Sequence, residues 1–213
     1  MLQNSYASHM GSGKHLPLAF SSFVCQTQKA EGANQTIVLA RGFTRLKGIF
    51  VNWFRANDDS GLKKQVNFMY HPHATSTSYD RAKDNLEVQV QIGSNKYPEY
   101  PVNSLAEFYY RLRLALGVHF GDSPISVTPH EFRSRKFMVG IDMEKAATGP
   151  GGGVSFTGIS TRGGELLTVD YKNLGVFSED ASADTTAKQS FVFLNYDAML
   201  NIRGDSGAPE VLD

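Results

Sequence analysis

Apolar and polar residues alternate with a period of two over much of this chain. The segment NLEVQVQIG is a clear example, because Leu86, Val88, Val90 and Ile92 share one parity and Glu87, Gln89 and Gln91 share the other. This alternation is typical of a half-buried β-strand. Similar short runs recur along the chain: QTIVLA, LKGIFVNWF, QVNFMY, KFMVGID, ELLTVDY, SFVFLNY and AMLNIR. Clusters of Gly, Asn, Asp and Ser separate them, so we predict eight to ten strands joined by turns.

One segment, SLAEFYYRLRLALG, has helical spacing instead. Ser104 and Glu107 fit a capping box at its start, and Gly117 fits a stop signal. The apolar positions that share one face of this predicted helix are Leu105, Phe108, Tyr109, Leu112 and Leu116. We therefore predict an all-β jelly-roll sandwich of two facing antiparallel sheets with one short helix over residues 104–116.

The length and charge of the chain indicate one domain and argue against a nucleic-acid-binding protein. The 213 residues suffice for one domain, and we take residues 1–213 as a single jelly-roll domain with a flexible segment over residues 1–15. Two further low-complexity segments, residues 148–153 and 178–188, are predicted to be surface loops. Lys plus Arg equals Asp plus Glu at 21 each, and no basic run is present, so we expect no sequence-specific nucleic-acid binding.

The candidate catalytic motifs are weak. GDSGAP at the end of the chain resembles a serine-protease nucleophile motif, but too few residues follow Ser206 to build a substrate pocket. The overlapping tripeptide RGD at residues 203–205 is the sequence that integrins recognise on exposed loops, but a tight turn is the favoured interpretation. His71 and His73 have a spacing found in metal sites. Because the sequence offers no third ligand nearby, a solvated turn is the favoured interpretation.

Other chemical candidates also have structural explanations. Cys25 follows an apolar run and is predicted to be a small buried residue. Asp142 and Glu144 are interpreted as a strand end that turns into a loop. We therefore predict that the chain is not an enzyme and has no catalytic, metal or cofactor site.

Several phrases spread from about residue 11 to the end resemble a known family. They include RGFTRLKGIFV, IGSNKYPEYPVNSLAEFYYRLRLALG, SFTGISTRGGELLTVDYKNLG and LNYDAMLNIRGDSGAPEVLD. Together they are similar to viral jelly-roll major capsid proteins, and specifically to the C-terminal barrel of the double jelly-roll lineage. A complete member is about twice as long, so the resemblance implies one barrel of a larger protein or a single-barrel relative.

The resemblance implies a structural role. A capsid subunit of this kind assembles with copies of itself and with other capsid proteins, as a homotrimeric or pseudo-hexameric capsomer of an icosahedral shell in the virion. The residues that we predict to contact neighbouring subunits are Tyr109, Arg111, Tyr171, Val211 and Leu212. The alternative is a jelly-roll module that binds carbohydrate or a receptor through exposed aromatic residues, for which Trp53, Tyr97 and Tyr100 are candidates.

Overall fold

The structure is a computed structural model that describes residues 16–29, 34–55, 86–117, 127–134, 136–148, 154–174, 187–202 and 210–212. The strands in these ranges are β1 (Leu16–Lys29), β2 (Gln35–Leu39), β3 (Leu46–Arg55), β4 (Glu87–Ile92), β5 (Asn95–Val102), β6 (Val139–Asp142), β7 (Lys145–Thr148), β8 (Val154–Thr157), β9 (Leu167–Lys172), β10 (Ala187–Ile202) and β11 (Glu210–Leu212). The helices are α1 (Leu105–Ala115) and α2 (Pro129–Ser134).

The strands form two main antiparallel sheets. The first sheet has the order β1-β10-β3-β6, with β11 added beside β10, and the second has the order β2-β9-β4-β5. The hairpin of β7 and β8 is separate and lies between β6 and β9 in the chain. Without that hairpin and β11, eight strands remain, and the chain crosses between the sheets at every connection except β4 to β5. This is the strand order of a jelly roll, so the predicted fold class is confirmed.

The core lies between the two sheets and follows the predicted alternation. In β4 and the residue before it, Leu86, Val88, Val90 and Ile92 are at most 1% exposed, whereas the alternating Gln89 and Gln91 are only half-buried. The first sheet contributes the even-numbered side chains of β10, and β9 supplies Val169 from the opposite sheet. Apolar burial of this kind is the main stabilising contribution to a sandwich.

Helix α1 covers the outer face of the first sheet beside β6. Ser104 is the N-cap as predicted, since its hydroxyl accepts a hydrogen bond from the Glu107 N–H at 3.2 Å, while the Glu107 carboxylate accepts from Arg111 Nε at 2.8 Å. Phe108 and Leu112 are its buried residues, and Gly117 follows with a φ of 68°. Because this helix covers one side of the sheet, β6 is buried on both faces over residues 139–141.

The second helix, α2, was not predicted. Its start contains a capping pair, in which the Glu131 N–H donates to the Thr128 hydroxyl at 3.3 Å and the Thr128 N–H donates to the Glu131 carboxylate at 3.2 Å. Pro129 occupies the first helical position, where a missing N–H costs least. The segment TPHE therefore carried a start signal, but the helix is too short to show apolar periodicity.

Two predicted strands merge and one long strand was missed. The separate runs at residues 190–196 and 198–203 belong to the single strand β10, which continues through Asp197. The full length of β1 was not recognised, because Pro17 and the polar Gln26 and Gln28 interrupt its apolar pattern. The predicted strand at residues 65–70 lies outside the described residues, as do most residues of the two predicted loops.

Candidate functional site: an apolar face at the end of the long sheet

Strand β10 extends beyond its neighbour β3. It pairs with β1 along the whole length of β1, from Leu16 opposite Ile202 to Lys29 opposite Gln189. Its pairing with β3 ends at Tyr196 opposite Leu46. Since β1 occupies one edge of β10, β11 lies along the other edge beyond the end of β3, where Val211 pairs with Leu200. The first sheet therefore continues as a three-stranded ribbon.

One face of this ribbon is apolar. The even-numbered residues of β10 up to Tyr196 point into the core, and residues paired across antiparallel strands share a face. The even-numbered row therefore continues onto the ribbon, together with Val211. We call this surface the apolar ribbon face, and its side chains are Leu16, Leu18, Phe20, Leu200, Ile202 and Val211.

The apolar ribbon face is partly open to solvent. Leu18 is 44% exposed, Phe20 is 42% exposed and Val211 is 58% exposed, while Leu200 and Ile202 are half-buried. Single exposed apolar residues are common, but a contiguous set on one face is typical of an interaction surface.

The closed core ends just before this face. Phe43 is fully buried, and its ring centroid lies 4.9 Å from that of Tyr196. The Arg41 guanidinium lies over both rings, 5.4 Å from Phe43 and 5.3 Å from Tyr196. The Phe43 backbone is fixed by Thr161, whose hydroxyl accepts from the Phe43 N–H at 2.8 Å. The aromatic pair under Arg41 thus separates the core from the apolar ribbon face.

The opposite face of the sheet carries a charged cluster near the same point. Lys47 Nζ lies 3.2 Å from a Glu144 carboxylate oxygen and 3.5 Å from an Asp197 oxygen. The Ser21 hydroxyl donates to Asp197 at 2.9 Å. Burial alone would lower the pKa of Lys47, but hydrogen bonds and charge from Glu144 and Asp197 raise it above its ordinary value. Burial raises the pKa of the neighbouring Asp142, where the hydrogen bond from the Glu144 N–H opposes the shift. One face of the ribbon is therefore apolar, and the opposite face carries charged side chains.

The Lys47 cluster gives a pH-dependent prediction. We expect Lys47→Met to lower the free energy of unfolding by about 0.5–1 kcal/mol at neutral pH, because two carboxylates lose their partner. The folded-state pKa of Lys47 lies above the ordinary 10.5, so its contribution is complete below that pH and is lost as the pH rises through the raised value. Urea unfolding of the wild type and of Lys47→Met, from neutral pH to above pH 10.5, measures the difference in their free energies of unfolding.

A matched control for this variant is Lys172→Met. The Lys172 ammonium lies 3.8 Å from Glu87, and its side chain is 63% exposed, so its removal should change stability little. An equal loss in both variants, or a Lys47→Met difference that stays constant through strongly alkaline pH, would contradict the proposed role of the Lys47 cluster.

The predicted contact residues fall in different environments. Val211 lies on the apolar ribbon face, and Leu212 pairs with Met199 through the backbone, although its side chain lies outside the described residues. Tyr109 is half-buried, and its hydroxyl donates to the Val127 carbonyl at 2.7 Å. Arg111 forms an ion pair with Glu107 at 2.8 Å. Of the five predicted residues, only Val211 has a described side chain on the apolar ribbon face.

Tyr171 requires a correction. It is 1% exposed, its ring stands edge-on to that of Trp53 at 5.5 Å, and its hydroxyl donates to Gln35 at 2.6 Å. Burial raises its pKa. The sequence suggested a contact residue because Tyr is common at interfaces, but the parity of β9 directs this side chain into the core. Tyr171 therefore offers no surface to a neighbouring subunit.

The prediction for Cys25 was also wrong. Cys25 is exposed, because odd-numbered residues of β1 face outward and β1 is the outermost of the described strands of its sheet. Local desolvation raises the pKa of its thiol, which disfavours the thiolate that a nucleophile needs.

The aromatic candidates for ligand binding do not form one exposed set. Trp53 is 4% exposed and belongs to the core, and Tyr97 is half-buried with the Lys145 ammonium 6.0 Å from its ring centroid. Tyr100 is 76% exposed. Of the three candidates, Tyr100 alone is exposed, so these three residues do not form a shared aromatic platform.

The remaining chemical candidates add no described site. Asp142 ends β6 as predicted, and its carboxylate accepts from the Glu144 N–H at 2.9 Å. Within the described ranges, no three His, Cys, Asp or Glu side chains come close enough together to hold a metal ion. His71, His73, Ser206 and residues 203–205 lie outside those ranges. No described helix has the length and apolar character needed to cross a membrane.

Comparison with known proteins gives matches in structure only. No protein-family model matches the chain, and no curated protein matches it. The solved structures that resemble it include those of viral capsids. A quasi-atomic model of the PBCV-1 virus capsid has a TM-score of 0.47 and 12% identity, over 92% of this chain and 51% of that chain.

Two further structures give similar results. The PBCV-1 capsid protein VP54, fitted into a reconstruction of the virophage Sputnik, has a TM-score of 0.47 and 14% identity over 92% of this chain and 51% of its own. The Sputnik virophage structure at 3.5 Å has a TM-score of 0.36 and 12% identity, with 39% of that chain covered. The chain thus spans about half the length of each of the first two proteins and 39% of the length of the third.

Proposed function

We propose that this protein is a structural, non-enzymatic capsid subunit that assembles with copies of itself into capsomers of an icosahedral virus shell. The observation that carries the proposal is the jelly-roll order of the two sheets, β1-β10-β3-β6 facing β2-β9-β4-β5. Because one fold serves many functions, a capsid role also requires a surface that can contact neighbouring subunits. The apolar ribbon face meets this requirement, since it presents contiguous, partly exposed apolar side chains on a sheet.

The proposal includes the organisation of the chain. We infer one jelly-roll domain, which is either one barrel of a longer double jelly-roll protein or a single-barrel relative. Its partners are other copies of the chain and other capsid proteins, arranged as a homotrimer or pseudo-hexamer in the virion. The resemblance of ordered phrases along the sequence to double jelly-roll capsid proteins supports this arrangement, as does the exposure of Val211 near the end of the chain.

Electron microscopy and sedimentation of the purified chain test the proposal. We expect particles of three times the 23.4 kDa chain mass, or larger closed assemblies, at micromolar concentration. A protein that remains monomeric at all concentrations and in the presence of its co-expressed capsid partners would contradict the capsid role. Saturable binding of a glycan by that monomer, lost in Tyr100→Ala, would favour the carbohydrate-binding alternative instead.

A further inference from the structure

The core between the two sheets encloses the indole N–H of Trp53 and the hydroxyl of Ser190. Within the described part of the chain, neither group has a hydrogen-bond partner. Trp53 is 4% exposed and Ser190 is 0% exposed, so bulk solvent does not satisfy them. A buried polar group without a partner is costly, and the N–H of a buried Trp normally donates to an acceptor. Both groups therefore require a partner inside the core.

The strand register places these two groups side by side. Ser190 of β10 lies directly opposite Trp53 of β3, and residues paired in this way share one face of the sheet. That face is the core face, since Val192 and Leu194 continue the same row of β10 and are each 1% exposed. Serine is smaller than either of these residues, so it leaves room beside the indole that a branched apolar side chain would fill.

Tyr171 contributes a third polar group from the opposite sheet. Its ring stands edge-on to that of Trp53, with the centroids 5.5 Å apart. Its hydroxyl donates to Gln35 at 2.6 Å, and a phenolic oxygen that donates in this way still accepts a hydrogen bond. Ser190 lies close enough to oppose the rise in the Tyr171 pKa that burial causes, but the two hydroxyl groups form no direct hydrogen bond of normal geometry.

We propose that one ordered water molecule is bound between the two sheets at this point, where it accepts from the Trp53 indole N–H and donates to the oxygens of Ser190 and Tyr171. Three hydrogen bonds are the usual number for a water molecule buried in a protein. The ligand is water because these three side chains offer a donor and two acceptors, none of which carries a charge to hold an ion. Such a water links the two sheets by polar contacts, and this inference goes beyond the capsid role and does not depend on it.

Urea unfolding of Ser190→Ala tests the proposal through the sign of the effect. If the hydroxyl holds the water, its removal takes away a hydrogen bond, and we expect the equilibrium constant for unfolding to rise about fivefold. If the hydroxyl were buried without a partner, alanine would remove a desolvation cost, and the constant would stay the same or fall. That second result would overturn the proposal.

Ser22→Ala is the matched control for this variant. Ser22 is half-buried in the even-numbered row of β1 and lies opposite Tyr196, away from Trp53. We expect its truncation to change the unfolding constant by less than about twofold. An equal rise in both variants would also overturn the proposal, because any serine of this row would then have the same effect.

The fluorescence of Trp53 gives a second measurement, since Trp53 is the one tryptophan of the 213-residue chain. Ser190→Val fills the space beside the indole and displaces the water, so the indole loses a polar neighbour. We therefore expect the emission of the folded variant to shift to shorter wavelength, whereas Ser22→Val should emit like the wild type. Identical emission from Ser190→Val and the wild type would contradict a water bound at the indole.

A crystal structure at a resolution that shows ordered water tests the site directly. We expect a water oxygen about 2.7–3.2 Å from both Trp53 Nε1 and Ser190 Oγ in the wild type, and its loss in Ser190→Val. A wild-type structure in which a side chain fills this position, or in which no water oxygen lies within that distance of Trp53 Nε1, would overturn the proposal.

Discussion

Phe43→Ala is expected to lower the free energy of unfolding by about 3–5 kcal/mol, the usual cost of removing a fully buried Phe side chain. Phe43 is 0% exposed and closes the core at the end where β10 extends as the ribbon. Its removal leaves a cavity against Tyr196, whose ring centroid is 4.9 Å away, and withdraws one of the two rings beneath Arg41. Urea or thermal unfolding of the purified variant measures the loss.

Phe23→Ala is the control for this experiment. Phe23 is 61% exposed, and its ring centroid is 6.5 Å from that of Phe50, so its truncation should cost less than about 1 kcal/mol. Equal losses in the two variants would show that Phe43 does not close the core at this end of the sandwich.

The elements that the sequence predicted well are those whose determining residues all lie within the element itself. In β4 the alternation of large apolar and polar residues determines which face is buried, because side chains point to opposite sides in turn. In α1 the capping serine and the apolar stripe both lie within 14 residues. The two sheets follow from many such runs, since short alternating strands pack best as a sandwich.

The elements that sequence missed depend on distant partners. Strand β5 contains Pro98 and Pro101, which normally argue against a strand, but it lies at the edge of its sheet where a missing N–H is tolerated. The continuity of β10 through the polar Asp197 also depends on other strands, since its N–H donates to the Arg45 carbonyl and its carboxylate lies near Lys47.

The candidate site was predicted only in part, for a similar reason. Val211 was identified from its apolar character near the end of the chain, but Leu18 and Phe20 were not. The apolar ribbon face exists because the β1–β10 register places Leu18 opposite Leu200 and Phe20 opposite Ala198, from opposite ends of the chain. Tyr171 and Cys25 were misplaced because their exposure depends on strand parity and on the edge position of β1, which local composition does not determine.

Gly158→Ala is expected to lower the free energy of unfolding by about 2–3 kcal/mol, because the added methyl group has no space. A β-carbon at this position would lie 2.5 Å from the Leu46 carbonyl oxygen and 2.8 Å from the Arg45 carbonyl carbon. These neighbours are backbone atoms held by two hydrogen bonds between Leu46 and Ile159, both 2.9 Å. They cannot turn aside as a flexible side chain would, so the segment after β8 must separate from the start of β3.

Gly163→Ala provides the matched control, since a β-carbon there meets nothing within 4 Å. We expect it to change stability by less than about 0.5 kcal/mol. Hydrogen exchange of the Leu46 and Ile159 amides locates the effect, because both should lose protection in Gly158→Ala and keep it in Gly163→Ala. Unchanged protection of these amides together with wild-type stability would refute the close approach. The β3–β10 ladder runs from Leu46 opposite Tyr196 to Arg55 opposite Ala187. If only the Leu46 and Ile159 amides lose protection in Gly158→Ala and the rest of this ladder keeps it, β3 can pair with β10 without the Leu46–Ile159 hydrogen bonds.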